Sequence, residues 1–486
     1  MRLSIRTLDS ALWATGANLA VMALVLVRSI FLARLLPVEI FGIYAFAATV
    51  SALAAVFSRF GLEGAFLHRT TETEDELKAA SVHFSCSLVL GSLTAAGLIG
   101  AALLLADGPL RLALIVLAAT QFGLHLTVTP QAILRRRVTH RRLAILNIVA
   151  TLISTIVSLI TAFSGGGLWA LLAVNITICA ATLIFLYGWR PPWRPRLRWD
   201  RQAIGYFLHF GIRNVTSDFL QEALRRVDKL YIGFWMPTAA LGLFSRAYDY
   251  ALAPIAVLSR PFGLVVGGTL AELREQPMKL SAAVSRITRL LFHGSCLLAG
   301  LTGVVAPELI ELLIGEKWLP MVTPFRILLI AFLFNPVTGI LSQLAIALGR
   351  PGGLMKIRLV QLGALVTTMV LLAPRWHLAG VSIALLVSSY SGLVLLILAF
   401  RADVDIAPGS LFAKPLLALL LGIAASLGVA TLVTGHAPLW LKIVAEAGAF
   451  LTAYLSILWL MERAQLKDVA RLMRDYFRTG NISSIT

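Results

Sequence analysis

Apolar runs of about twenty residues follow one another along the whole chain, separated by short segments that hold most of the basic residues. A run of ~20 apolar residues crosses the hydrocarbon core of a bilayer as one helix. On that criterion the sequence predicts an all-α polytopic membrane protein with about fourteen spans. They are centred near 10–34, 40–61, 80–105, 110–131, 143–163, 167–188, 206–235, 239–268, 282–305, 321–348, 355–373, 377–400, 412–434 and 438–461. Composition agrees: 58% of the 486 residues are hydrophobic and 14% charged, against about 25% charged in a soluble protein.

A net charge of +18 would suit a nucleic-acid partner if the cations formed one surface. They do not; they fall in alternate short loops, where Lys and Arg orient helices in a membrane. Placing both termini in the cytoplasm puts Arg135–Arg142, Arg190–Arg201, Arg274–Arg289, Arg350–Arg358 and the tail from Arg463 to Arg478 inside. The outside segments then carry Arg34, Arg111, Lys317, Arg375 and little else. The longest of them, Pro307–Pro320, is too short for a soluble domain. The basic start with Arg2 and Arg6 leads into a run of about 25 residues containing Asp9, Asn18 and Arg28. That is longer and less clean than a signal-peptide core, so an uncleaved first span is expected. The basic tail is expected to anchor topology or to lie on the anionic inner leaflet.

The linker Arg190-Pro-Pro-Trp-Arg-Pro-Arg-Leu-Arg-Trp199 cannot continue a helix. It divides an N-terminal lobe of six spans (1–189) from a C-terminal lobe of six (203–403), with 190–202 as the cytoplasmic linker. Residues 404–486 add a further helix pair and the basic tail. An internal echo supports this division. Pro37-Val-Glu-Ile-Phe-Gly42-Ile-Tyr44 at the first corner is matched by Pro237-Thr-Ala-Ala-Leu-Gly242-Leu-Phe244 at the corner of spans 7 and 8. Six spans separate the copies, so both have the same orientation, and a site is expected between pseudo-symmetric halves.

The unusual charge gathers in the four spans related by this repeat. Spans 7 and 8 alone carry Arg213, Asp218, Glu222, Arg225, Arg226, Asp228, Lys229, Arg246, Asp249 and Arg260. A charge at membrane depth costs ~2.5–3.5 kcal/mol on insertion scales, so such residues normally face a bundle interior or a wet cavity. Asp218, Glu222, Arg225 and Lys229 fall within about 60° of one another on a helical wheel. Arg28 and Arg59 in spans 1 and 2 correspond to Asp228 and Ser259 in the repeat. An arginine-rich interior suits an anionic substrate, because guanidinium stays charged and grips phosphate oxygens with two parallel bonds. The candidate substrate contacts are therefore Arg28, Arg59, Arg213, Arg225, Arg246 and Arg260. Asp218, Glu222, Asp228 and Asp249 are candidates for proton or sodium coupling. Some of this set has an architectural alternative: Glu222 and Arg226 stand i, i+4 as an ion pair would, and Arg59, Arg246 and Arg326 lie near span ends, where long side chains reach water.

No catalytic motif appears: there is no Walker A loop, no Gly-x-Ser-x-Gly and no His-Glu-x-x-His. Cys86, Cys179 and Cys296 all sit inside apolar runs as small packing residues, with no disulfide or metal spacing. His125, His209 and His293 read as packing or interfacial groups. Neither a cofactor nor a metal is expected.

The run Phe31-Leu-Ala-Arg-Leu-Leu-Pro-Val-Glu-Ile-Phe-Gly-Ile-Tyr44 with Phe60-Gly-Leu-Glu-Gly-Ala-Phe66 resembles the polysaccharide transporter family, the Wzx-type flippases. These belong to the multidrug/oligosaccharidyl-lipid/polysaccharide exporter superfamily. Val227-Asp-Lys-Leu-Tyr-Ile-Gly233, Leu241-Gly-Leu-Phe-Ser-Arg-Ala247, Gly315-Glu-Lys-Trp318 and Ala347-Leu-Gly-Arg350 extend the match in order. The resemblance implies a flippase of the bacterial cytoplasmic membrane that moves undecaprenyl-diphosphate-linked oligosaccharide for capsule, exopolysaccharide or O-antigen synthesis. It implies alternating access of two lobes about a central cavity, with a polysaccharide polymerase and assembly proteins as further partners. Arg28 and Arg59 look like the cavity arginines of related cell-wall precursor flippases, while Arg246 and Arg260 straddle the place of a third. A drug or cation antiporter of the same superfamily is the alternative, and would be expected to rely on membrane acids. A membrane-bound sugar ligase or polymerase would need a sizeable outside loop, which the sequence lacks.

Overall fold

The computed structural model describes residues 2–68, 76–137, 140–189, 191–404, 408–432 and 437–479; side chains at 2–15, 68, 140, 213, 214, 260–269, 271, 351, 408, 410 and 464–479 lie outside the description. The described residues form an all-α fold. In chain order come α1 (Arg2–Leu35), α2 (Val38–Arg59), α3 (Leu62–His68), α4 (Glu76–Leu105), α5 (Gly108–Arg136), α6 (His140–Phe163) and α7 (Leu168–Leu183), which continues through a π turn at Ile184–Gly188. Beyond the linker follow α8 (Arg201–Trp235), α9 (Thr238–Glu272), α10 (Pro277–Val304), α11 (Ala306–Ile314), α12 (Val322–Phe332), α13 (Asn335–Ala347), α14 (Pro351–Phe400), α15 (Pro408–Leu432) and α16 (Leu439–Thr479).

Eleven segments of the described residues are long and apolar enough to cross a membrane. The 50-residue α14 counts once among them but is two helices: His377 takes φ 48° and ψ −127° just after Pro374. Ser388 Oγ donates to the Gln361 carbonyl (2.8 Å) and Gln361 Nε2 donates to the Ser388 carbonyl (3.3 Å), so the residues on either side of the break lie alongside each other. α8 and α9, 35 residues each, fall outside the eleven; they are the helices that hold the charge-rich stretch. With these three additions the segments correspond to the spans predicted from sequence. The segment 307–320, expected as an outside loop, instead forms α11 and a 3-10 turn, Glu316–Met321. Its Trp318 is fully buried, which is why so short a segment is ordered.

By packing, the chain divides inside α9 into a first unit, Met1–Ser245, and a second, Arg246–Thr486. In the first unit α8 packs on α2, α3 and α4. Phe46 meets Phe234 at 5.2 Å and Phe57 meets Phe219 at 5.6 Å between ring centroids. Rising numbers on α2 meet falling numbers on α8, so the two run antiparallel. The first corner and its repeat also touch. A Cβ on Gly42 would strike the backbone carbonyl of Thr238, and one on Gly242 would strike the carbonyl of Val38. Each glycine thus receives the residue just after the other corner's proline, as two copies facing each other across a twofold relation would. In the second unit, α10 packs on α12, α13, α15 and α16, and Phe292 stacks its ring among Phe334 (4.6 Å) and Phe412 (4.8 Å).

Candidate functional site

α2 ends at Phe60, which takes the left-handed conformation (φ 41°, ψ 32°) and returns its N–H to the Val56 carbonyl. A non-glycine residue pays roughly 1–2 kcal/mol for that conformation. The turn redirects the chain into α3 within two residues and brings Glu63 and Gly64 back toward α5 and α8. Gly211 of α8 accommodates the turn, because a Cβ there would collide with the Phe60 carbonyl and ring.

Within the first unit, α2, α3, α4, α5, α7 and α8 enclose a cavity of about 910 Å³. Its charged lining is Arg59, Glu63, Arg135 and Asp218; Arg135 forms an ion pair with Glu63. Neutral hydrogen-bonding groups supply much of the remainder. Asn175 Nδ2 donates to Tyr44 Oη (2.8 Å), and Gln131 Nε2 donates to Thr127 Oγ1 (3.0 Å). His125 Nε2 lies 2.7 Å from Ser58 Oγ, whose own hydrogen goes to the Ala55 carbonyl (3.0 Å). The serine oxygen must therefore accept, which places the proton on Nε2. Gln121 lines the cavity, and its Nε2 is buried with no partner among the described residues. Such a lining offers two guanidinium groups for an anion, and amide and hydroxyl groups of the kind that bind sugar hydroxyls.

Of the arginines singled out from sequence, Arg59 lines this cavity; it is exposed and forms no ion pair among the described residues. Arg28 is half-buried on α1, where Nη1 donates to Ser154 Oγ of α6 (2.9 Å). Arg225 is exposed on α8. Arg246, in the second unit, forms an ion pair with Asp249 at 2.7 Å. The side chains of Arg213 and Arg260 lie outside the described residues. Among the acids, Asp218 reaches the cavity wall, whereas Glu222 forms an ion pair with Arg226. Asp228 is fully buried, with Oδ1 accepting the Lys229 N–H at 2.8 Å and Oδ2 without a hydrogen-bond partner among the described residues. The structure thus brings Arg59 and Asp218 onto one wall and pairs Arg246 with Asp249.

Sequence reasoning missed Glu63, Gln121, Gln131, Arg135 and Asn175, and treated His125 as packing. A signal was present. Gln121, His125, Val128, Gln131 and Arg135 follow one another at helical spacing, a polar stripe along an otherwise apolar span. Arg135 was absorbed into a topology-setting basic loop, though it closes one end of that stripe.

Residues 31–323 match the family described as polysaccharide biosynthesis protein. The chain is 22% identical over 362 residues to the lipopolysaccharide biosynthesis protein WzxC of Escherichia coli (strain K12), covering 72% of each chain. It is 23% identical to the succinoglycan biosynthesis transport protein ExoT of Rhizobium meliloti (strain 1021), over 63% of this chain and 62% of that one. Its fold resembles that of the lipid II flippase MurJ in an inward closed conformation, with a TM-score of 0.72 at 12% identity, covering 95% of this chain and 99% of that one. The chain belongs to the polysaccharide biosynthesis protein family.

Proposed function

We propose that this multi-pass membrane protein is a flippase that moves undecaprenyl-diphosphate-linked oligosaccharide across the bacterial cytoplasmic membrane for capsule, exopolysaccharide or O-antigen synthesis. It works by alternating access, with both termini cytoplasmic. The observation that carries this reading is the cavity of the first unit: a polar lining that holds Arg59 and Arg135, built largely from helices long and apolar enough to cross a membrane. Ionisable groups at membrane depth mark substrate pathways, and the family and its relatives' names are those of glycan biosynthesis and transport. In this reading Arg59 and Arg135 contact the diphosphate, and Gln121, Gln131, Asn175 and Tyr44 face the first sugars. Arg28, Arg213, Arg225, Arg246 and Arg260 stay in the proposal as residues that shape the field or meet the substrate at other stages. Asp218 is the favoured coupling group, since it faces the cavity, while Glu222 and Asp249 are already paired.

The test is transport of a fluorescent polyprenyl-diphosphate oligosaccharide in vesicles holding the purified protein, with imposed proton, sodium or electrical gradients. Arg59→Ala is expected to weaken substrate binding by roughly 10- to 150-fold, the loss of one charge-assisted hydrogen bond. Arg59→Lys should restore only part, since it supplies charge without the planar fork. Wild-type vesicles that leave the labelled lipid in place while moving a cationic drug would replace this reading with the antiporter one.

A further inference from the structure

A second cavity, of about 610 Å³, lies between the start of α4 and the linker; Lys78, Ser81, Trp193, Arg194, Arg196 and Arg198 line it. We propose that it is a head-group site for an anionic phospholipid, held by its phosphate. The site is distinct from the transport cavity, and the inference uses neither the cargo nor its movement.

Three features of the linker support it. First, the linker is fixed. Trp193 is buried against Phe84, edge to face at 5.4 Å between centroids, in one apolar cluster with Phe66 and Phe207. The Arg198 backbone N–H donates to Ser85 Oγ (3.0 Å), and Asp200 Oδ1 caps α8 by accepting from the N–H groups of Gln202 and Ala203. The arginines between these anchors are therefore held in place by their backbone, which lowers the entropy lost on gripping an anion.

Second, no ion pair among the described residues compensates the charge. Several other basic side chains of the first unit have partners: Arg135 has Glu63, Arg137 has Glu76 at 3.0 Å, and Arg142 donates to the Trp189 carbonyl at 2.5 Å. Lys78, Arg194, Arg196 and Arg198 line one cavity and form no ion pair among the described residues. Four neighbouring cations in a lining with no acid among the described residues repel one another, and a phosphate relieves that repulsion.

Third, the surroundings are those of a membrane interface. Leu197, in the lining itself, and Trp199, next to Arg198 in the chain, are 64% and 63% exposed. Indole rings and basic side chains together sit at head-group level, where the ring body meets acyl chain and the charge meets phosphate. A soluble phosphate would have no use for the apolar rim; a lipid uses both.

The experiment titrates fluorescent phosphatidylglycerol into full-length protein held in phosphatidylcholine nanodiscs. Each basic residue at an anionic membrane surface changes binding by roughly fivefold. The double variant Arg194→Gln/Arg196→Gln is therefore expected to lose about 25-fold in affinity. Arg375→Gln, which removes an exposed charge from another part of the chain, should change it by less than about twofold. A head-group photoprobe on the wild type should label residues 77–81 and 193–198, a readout that holds even if the double variant fails to fold. Equal binding of phosphatidylglycerol and phosphatidylcholine, affinity of a folded double variant within about twofold of wild type, or labelling elsewhere would each overturn the proposal. Inorganic pyrophosphate provides a further arm: occupancy by pyrophosphate with no lipid binding would reassign the cavity to a diphosphate and refute the phospholipid reading. None of these outcomes bears on transport of the proposed cargo.

Discussion

The two compact units both carry polar and charged groups inside long apolar helices, but among the described residues a polar-lined transmembrane cavity is seen in the first. In the first, much of the polar inventory faces a cavity, and the buried donor at Gln121 Nε2 is unpartnered among the described residues. In the second, several charged groups are bonded to helix ends or to one another, although Thr288 Oγ1 and Glu308 Oε2 are buried with no hydrogen-bond partner among the described residues. Arg326 reaches the Gly303 and Val304 carbonyls at the end of α10 (2.9 and 3.4 Å), and Arg246 is paired with Asp249. His293 is the clearest case. Its Nδ1 lies 2.7 Å from the Arg289 carbonyl and its Nε2 lies 2.6 Å from Glu462 Oε2. The imidazole thus ties α10 to α16, with a carbonyl at one ring nitrogen and a carboxylate at the other. Lys414 stands 3.8 Å from the other Glu462 oxygen, and α16 breaks its helical path at Glu462 (φ −137°, ψ 29°). The difference teaches that a charge in a membrane helix is not in itself a sign of a substrate path. A charge that is bonded to a carbonyl or a counter-ion away from any cavity is architecture, and a charged or polar side chain that lines a cavity is a candidate for ligand contact.

The largest expected effect tests the architectural half. His293→Ala leaves the Glu462 side chain, 1% exposed, with Lys414 as its remaining counter-ion, and breaking a buried pair from one side costs about 3 kcal/mol or more. Denaturant unfolding of the purified protein should show that loss. A variant as stable as wild type would break the comparison, because the second unit's charges would then be as dispensable to packing as the first unit's.

Next in size is the close approach of the two corners. Gly42→Val places a side chain where the Thr238 carbonyl stands, and Gly242→Val does the same at the Val38 carbonyl. Overpacking of this kind costs about 1–3 kcal/mol. Both variants should lower the melting temperature by similar amounts, as expected of reciprocal contacts. A loss confined to one of them would show that the repeat in sequence is not a repeat in packing.

These residues also show what the sequence discloses. Pro37–Gly42 and Pro237–Gly242 were visible as an echo, because a proline corner and a glycine at fixed spacing are local requirements of a tight helical turn. The spans were visible because bilayer thickness sets their length. The break in α14 was legible as two spans, with Pro374 beside it, although the helices run on as one stretch of 50 residues. Side-chain partners were less legible. Glu222 with Arg226 follows from i, i+4 spacing, but Arg28 with Ser154 and Glu63 with Arg135 depend on which helices become neighbours, which no local spacing encodes. Charge drew attention to Arg28 and Arg246, whose visible contacts are with Ser154 and Asp249; neutral Gln121, Gln131 and Asn175, which line the cavity, passed as ordinary members of apolar spans.

The smallest effect on stability is the most discriminating. Gln121→Leu removes a buried amide whose Nε2 has no partner among the described residues, and replaces it with an apolar group of similar size. Burying an unpaired donor is unfavourable, so its removal should leave stability unchanged or raise it by up to about 1 kcal/mol. Transport of the labelled lipid-linked oligosaccharide should nonetheless slow by about 2- to 12-fold, the weight of one ordinary hydrogen bond to a sugar or phosphate oxygen. Opposite signs for stability and transport are what a ligand-facing donor predicts, and they are the reverse of what His293→Ala should give. Each alternative outcome has a definite meaning. A destabilised Gln121→Leu protein would show the amide to be bonded within the fold, while unchanged stability with unchanged transport would remove Gln121 from the cargo's path. The measurement needs only membrane-reconstituted protein at matched density, so that expression level cannot mimic a change in rate.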